Sequence, residues 1–167
     1  MGRLGVRLGV LGMVADWSEL PIGSLGRVVT GRTPSKEHPH HWGDALPFLT
    51  PTDMDGRRLA DGTQRGLSIA GTNAFTRVVV PFGVAVSCIG WQMGKAMLIR
   101  RPLVTNQQIN TVVPDERVVS SNFLYYALTA RREEIFRLGA GGSRTPILNK
   151  SGFEKVRLGR NRYAVVS

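Results

Sequence analysis

The sequence predicts one mixed α/β domain, α+β in arrangement, with a mostly β core and a single long helix near its end. Three observations predict it. Short β-branched runs punctuated by Gly and Pro fill the middle of the chain. One stretch, Ser121 to Leu138, carries apolar residues at helical period. The chain has 167 residues, 42% of them hydrophobic and 20% charged, which suits a single buried core and not a disordered polymer.

In order along the chain, residues 1–16 read as a leader outside the fold. Arg3 and Arg7 precede a short apolar run, Leu8 to Ala15, that Gly9 and Gly12 interrupt, so it is a poor secretory signal. Structure is expected to begin at Trp17. Gly31-Arg32-Thr33-Pro34-Ser35 is a turn by composition, and His38-Pro39-His40-His41 continues that loop. Ala45 to Thr50 is short, apolar and β-compatible, and Asp53-Met54-Asp55-Gly56 turns the chain. Residues 56–74 are polar and Gly-rich, a loop with small elements. Arg77 to Val80 and Val84 to Ser87 read as strands joined at Pro81-Phe82-Gly83, with Lys95 to Ile99 and Thr111 to Val113 as further strands. The helix follows. Ser120 or Ser121 can cap it, and Leu124, Leu128, Ile135 and Leu138 share one face. Arg131 to Glu134 take the solvent side, and Gly139 ends it. The longest uncharged run, Val78 to Gly94, contains Pro81, Gln92 and three glycines and does not suit a membrane span.

The charge balance narrows the function. There are 22 Lys and Arg against 12 Asp and Glu, giving +10 and a pI near 11.0. Residues 84–167 carry +8 of this. Such a chain expects a polyanionic partner, although 18 of the 22 cations are Arg, which a coding bias also produces. The one cysteine, Cys88, lies in an apolar stretch and reads as a small core residue; a lone cysteine suits a reducing, cytoplasmic setting.

No catalytic constellation stands out. Gly139-Ala140-Gly141-Gly142-Ser143-Arg144 lacks the P-loop ending and leaves a helix instead of opening one. His38, His40 and His41 are the only histidines, with no Cys or carboxylate pattern to complete a metal site, and read as an exposed loop that touches a ligand. Asp53 and Asp55 read as solvated turn carboxylates. The side chains suited to DNA sit in loops: Arg32, Lys36, His38, Arg57, Arg58, Arg65, Gln92, Lys95, Gln107 and Arg144. Arg and Lys match guanine O6 and N7, and Gln or Asn match adenine N6 and N7. Asn106 and Gln107 equally suit the satisfaction of buried backbone groups. Two other readings stay open: a basic RNA-binding or ribosome-associated protein, and a small hydrolase using the His38–His41 loop.

The order of motifs carries a resemblance. Trp17, Leu20-Pro21-Ile22-Gly23, Gly31-Arg32-Thr33-Pro34-Ser35, Trp42, Leu46-Pro47-Phe48-Leu49 and Asp53 lead into Pro81 to Gly90 and then Thr105-Asn106-Gln107-Gln108-Ile109-Asn110. The late helix with Phe123-Leu124-Tyr125-Tyr126, Gly141-Gly142-Ser143 and Leu148 to Val156 complete the series. Over residues 17–158 the chain resembles a target recognition domain of the specificity subunit of type I restriction-modification systems. The resemblance implies a non-catalytic subunit that binds double-stranded DNA and works with methyltransferase and restriction subunits. It needs no cofactor of its own, S-adenosylmethionine belonging to the methyltransferase. Reading loops are implied near Arg32 to His41, Arg57 to Arg65 and Gln92 to Lys95, with the late helix and Asn106-Gln107 as framework. The family's long spacer helices are absent after Leu158, and residues 159–167 read as a truncated tail. A fragment, a truncated gene product, or a half-subunit able to form a homodimer is the expectation.

Overall fold

The computed structural model of the chain describes residues 17–141 and 145–161. Its centre is a four-stranded antiparallel sheet in the order β2 (Gly26–Thr30), β8 (Ile109–Pro114), β5 (Gly83–Ser87) and β6 (Ala96–Ile99). Alternation sorts its side chains. Val28, Val84, Val86, Leu98 and Val112 face one way, and Val29, Ala85, Met97, Ile99 and Ile109 the other. Both faces are covered, so every residue of β5 is buried. That explains why β5 reads as a continuous apolar run.

Helices cover the first face. α2 (Ser121–Ala130) and α3 (Arg132–Gly139) place Leu124, Leu128 and Ile135 on it. α4 (Lys150–Lys155) adds Phe153, and the two-stranded pair β1 (Ser18–Pro21) and β9 (Arg157–Arg160) adds Leu158. That pairing runs from Pro21 opposite Arg157 to Ser18 opposite Arg160, so Gly159 and Arg160 are part of the fold. The second face receives Leu49, Met54, Ala60, Val80 and Leu103. Beside it stands a smaller sheet, β4 (Arg65–Leu67), β3 (Trp42–Leu49) and β7 (Val104–Thr105), followed by α1 (Ile69–Ala74). Leu46, Phe48, Leu67, Phe75 and Val104 form its own cluster. Trp42 and Leu46 both sit opposite Leu67, so residues 43–45 bulge out of β3.

Three expectations need correction. The late helix is two helices: Arg131 leaves helical geometry at φ −95°, ψ 10° while its N–H bonds Leu128. Its guanidinium pairs with Glu134 and Glu19, which anchors the break. Beyond the break Leu138, which one continuous amphipathic helix would bury, is exposed. Arg77 to Val80 is not a strand paired with β5. Thr76–Val78 is a 3-10 turn, and only Val80 bridges, to Leu103. Asp53 is not a solvated turn group. It is buried, takes Thr50 N–H and Oγ1–H on one oxygen and Gln64 N–H on the other, and so ties residues 54–64 to the end of β3.

Ser120 is the helix cap, accepting from Phe123 N–H. Cys88 is buried as expected, and burial pushes its thiol up to about 11. Among the described residues no helix is long and apolar enough to cross a membrane. The leader, residues 1–16, and the tail beyond Asn161 lie outside the described residues.

Candidate nucleic-acid interface

The site starts at a backbone contact. A Cβ on Gly31 would lie 2.1 Å from Thr105 O and 2.3 Å from Asn106 O, so only glycine lets β2 exit there. Arg32 N–H then bonds Thr105 O at 2.9 Å, and Thr33 Oγ1–H donates to Gln107 Oε1. The loop root is therefore fixed while the Arg32 side chain is free to face solvent. Its guanidinium lies over the ring of Phe75, 5.4 Å from the centroid.

The histidine loop closes on the same ring. His41 stands edge-on to Phe75 at 6.1 Å, and the rings of His38, His40 and His41 lie 4.5–5.6 Å apart. Ser68 holds this loop from α1. Its hydroxyl donates to His40 O at 2.6 Å and accepts from Gly71 N–H, and its own N–H bonds His41 O. Gly71 is again required, because a Cβ would meet His41 O at 2.1 Å. Burial, then the neighbouring His40 and His38, lowers the pKa of His41 below the usual imidazole value. Among the described residues no group of His, Cys, Asp and Glu is placed to hold a metal ion.

Beside it, the Arg65 guanidinium on β4 lies over the ring of Trp42, 3.4 Å from the centroid, and Trp42 stands edge-on to Phe48 at 5.1 Å. Consecutive residues, His41 and Trp42, join the two aromatic supports. Arg32 and Arg65 are thus both oriented by π faces, and neither has a carboxylate partner among the described residues. A guanidinium held over an aromatic ring and free of a carboxylate keeps N–H donors for an incoming acceptor. Lys36 is exposed in the intervening loop.

The remaining sequence-derived residues divide. Arg57 is held by Asp55 at 2.8 Å and Asp61 at 3.4 Å, and its hydrogen bonds keep the Asp55 carboxyl below the ordinary range. Arg58 donates to Asn122 Oδ1 at 2.6 Å, away from the histidine loop. Lys95 Nζ donates to Met54 O at 3.1 Å from a half-buried position, and the exposed Gln107 accepts from Thr33, so both side chains brace loops. Gln92 is half-buried in the β5–β6 connection. Arg144 lies outside the described residues. Asn106 and Asn110 are buried framework: Asn106 bonds Gln108, and Asn110 bridges Thr30 and Cys88. Phe75 and Trp42 were missed as supports. Aromatic residues interleaved with basic loops are the signal that marks such supports.

Comparison with known proteins identifies the family. The profile of the type I restriction modification DNA specificity domain matches residues 15–158. The chain belongs to this family. The specificity domain is 33% identical over 145 residues to the HindI type I restriction enzyme specificity subunit of Haemophilus influenzae, covering 85% of this chain and 31% of that one. It is 27% identical over 146 residues to the MjaIX specificity subunit of Methanocaldococcus jannaschii, covering 86% and 34%. The crystal structure of the type I restriction-modification S subunit from M. genitalium superposes with a TM-score of 0.63 at 16% identity, covering 91% of this chain and 36% of that one, which establishes the shared fold. The specificity domain spans about a third of the length of the curated relatives it matches. Arg32, Arg65, Phe75 and Trp42 all fall inside the matched residues.

Proposed function

We propose that this specificity domain reads a short sequence on double-stranded DNA and performs no chemistry itself. The observation that carries the reading is the pair of guanidiniums set over aromatic rings, Arg32 over Phe75 and Arg65 over Trp42, lacking carboxylate partners among the described residues and flanking an exposed histidine loop. Arg32 or Arg65 presents a fork to guanine O6 and N7, while Lys36 and His38 approach phosphates or base edges. The domain directs methyltransferase and restriction subunits of a type I system to that sequence, and S-adenosylmethionine binds the methyltransferase. The +10 charge supplies a sequence-independent attraction that falls with salt.

The test is binding of a labelled duplex by the full chain across a salt series, with structured RNA as competitor. Duplex binding is expected to outcompete RNA, and Arg32→Ala or Arg65→Ala to weaken it by ~1–3 kcal/mol for the preferred sequence. RNA winning at every salt concentration, or unaltered binding by both variants, overturns the reading in favour of a general basic RNA binder.

A further inference from the structure

A second cationic site lies at the far end of β6. Lys95 and Arg100 flank that strand, and five residue steps at ~3.3 Å put their backbones roughly 17 Å apart. At the Arg100 end, two guanidiniums converge on one neutral oxygen. Arg58 Nη2 lies 2.6 Å from Asn122 Oδ1, and Arg100 Nη2 lies 3.0 Å from the same atom. The two cations come from separate segments. The backbone around Arg58 runs along the edge of β6, Leu98 N–H bonding Arg58 O at 2.7 Å and Ala60 N–H bonding Leu98 O at 2.8 Å. Arg100 follows β6 directly.

The arrangement is electrostatically incomplete. Like charges held this close repel, and an amide oxygen carries only a partial charge to offset them. Neither arginine forms an ion pair with a carboxylate among the described residues, in contrast to Arg57, Arg117, Arg131 and Arg157. The aromatic rings of Tyr125 and Tyr126 lie 5.6 Å and 5.2 Å from the Arg58 guanidinium carbon and hold it in place. Both arginines and Tyr126 are exposed, so an anion reaches the pair from solvent. Two planar forks converging on one point match the several oxygens of a phosphate.

We propose that Arg58, Arg100 and Asn122 form a phosphate-binding site, occupied by a backbone phosphate of the bound duplex. The occupant rests on the DNA reading above; the phosphate chemistry does not. The site contributes affinity without sequence choice, because phosphates look alike in every sequence.

The experiment uses the full chain with Arg100→Gln, Arg58→Gln and Asn122→Asp. The aspartate places a carboxylate between the two guanidiniums, so it fills the site from within and is expected to raise the thermal midpoint while abolishing phosphate binding. Duplex affinity is measured over a salt series, and the phosphorus NMR linewidth of inorganic phosphate is measured separately. A backbone site predicts that each variant flattens the slope of log K against log salt by ~0.9 and leaves sequence preference intact. An unchanged slope with phosphate broadening that needs both arginines keeps the site and assigns it to free phosphate. If the parent chain binds no duplex, the DNA reading fails, and the phosphate linewidth still decides the site. Unchanged slope and unchanged linewidth in all three variants, or an altered sequence preference, overturns the proposal.

Discussion

Replacing Asp53 by Asn tests the internal tie that holds residues 54–64 in place. The carboxylate is buried at 6% exposure and uses its two oxygens differently. Oδ2 accepts Thr50 N–H at 2.8 Å and Thr50 Oγ1–H at 2.7 Å, while Oδ1 accepts Gln64 N–H at 2.9 Å. Asparagine has one acceptor and one donor in the same space. With its oxygen turned to Thr50, its NH2 faces the Gln64 N–H, donor against donor. A hydrogen bond to a charged group contributes ~1.5–3 kcal/mol, so the loss of one is expected to cost about 2 kcal/mol. For a chain of this size that lowers the thermal midpoint by about 4–8 °C. Urea denaturation followed by circular dichroism measures the change, with Asp55→Asn as control, since Asp55 is exposed and pairs only with Arg57 and its own loop. A change below about 0.5 kcal/mol, of the size ordinary surface substitutions give, refutes the tie.

Four further outcomes are expected. Phe153→Ala removes a fully buried ring from the helix-covered core and is expected to cost ~3–5 kcal/mol in chemical denaturation; a loss under 1 kcal/mol contradicts the packing described. Cys88, its thiol pushed up to about 11, is expected to resist alkylation at neutral pH until the chain unfolds, and fast labelling of folded protein contradicts its burial. The Arg117 hydrogen bonds hold the Asp115 carboxyl at about 2 against an ordinary 3.8, so the folded state binds that proton less readily than the unfolded one. Its contribution to stability is present above pH 4 and lost as pH falls toward 2. Asp115→Asn is expected to flatten the stability profile across that window, and an unaltered profile counts against the pair. Phe75→Leu keeps an apolar side chain in the core but removes the support under Arg32, and is expected to weaken duplex binding by ~0.5–1 kcal/mol in fluorescence anisotropy.

The legible parts of the fold are those decided locally. β5 and β8 follow from β-branched runs, β6 from a short apolar run, and the start of α2 from Ser120 capping Phe123 N–H. Arg77 to Val80 misled because Val78 and Val79 pack against the cluster of Leu46, Phe48, Leu67, Phe75 and Val104, which only the tertiary fold assembles. The break at Arg131 depends on Glu19, 112 residues away, which no helical period reveals. The loop carrying Arg32, Lys36 and His38 was legible from its Gly, Pro and charge. What that loop rests on was not, because Arg32 meets Phe75 only through the tertiary fold. Lys95 read as a free cation, yet its ammonium bonds Met54 O across 41 residues. Asp53 read as solvated because a turn sequence does not show that Gln64 folds back onto it.

The face bearing Arg32 and Arg65 is proposed to choose among DNA sequences. Selection of bound duplexes from a randomised pool by the full chain, repeated at rising salt, measures that choice directly. Enrichment of one short asymmetric sequence, lost in Arg32→Ala, is the expected result; recovery of duplexes with no shared sequence at any salt would contradict it.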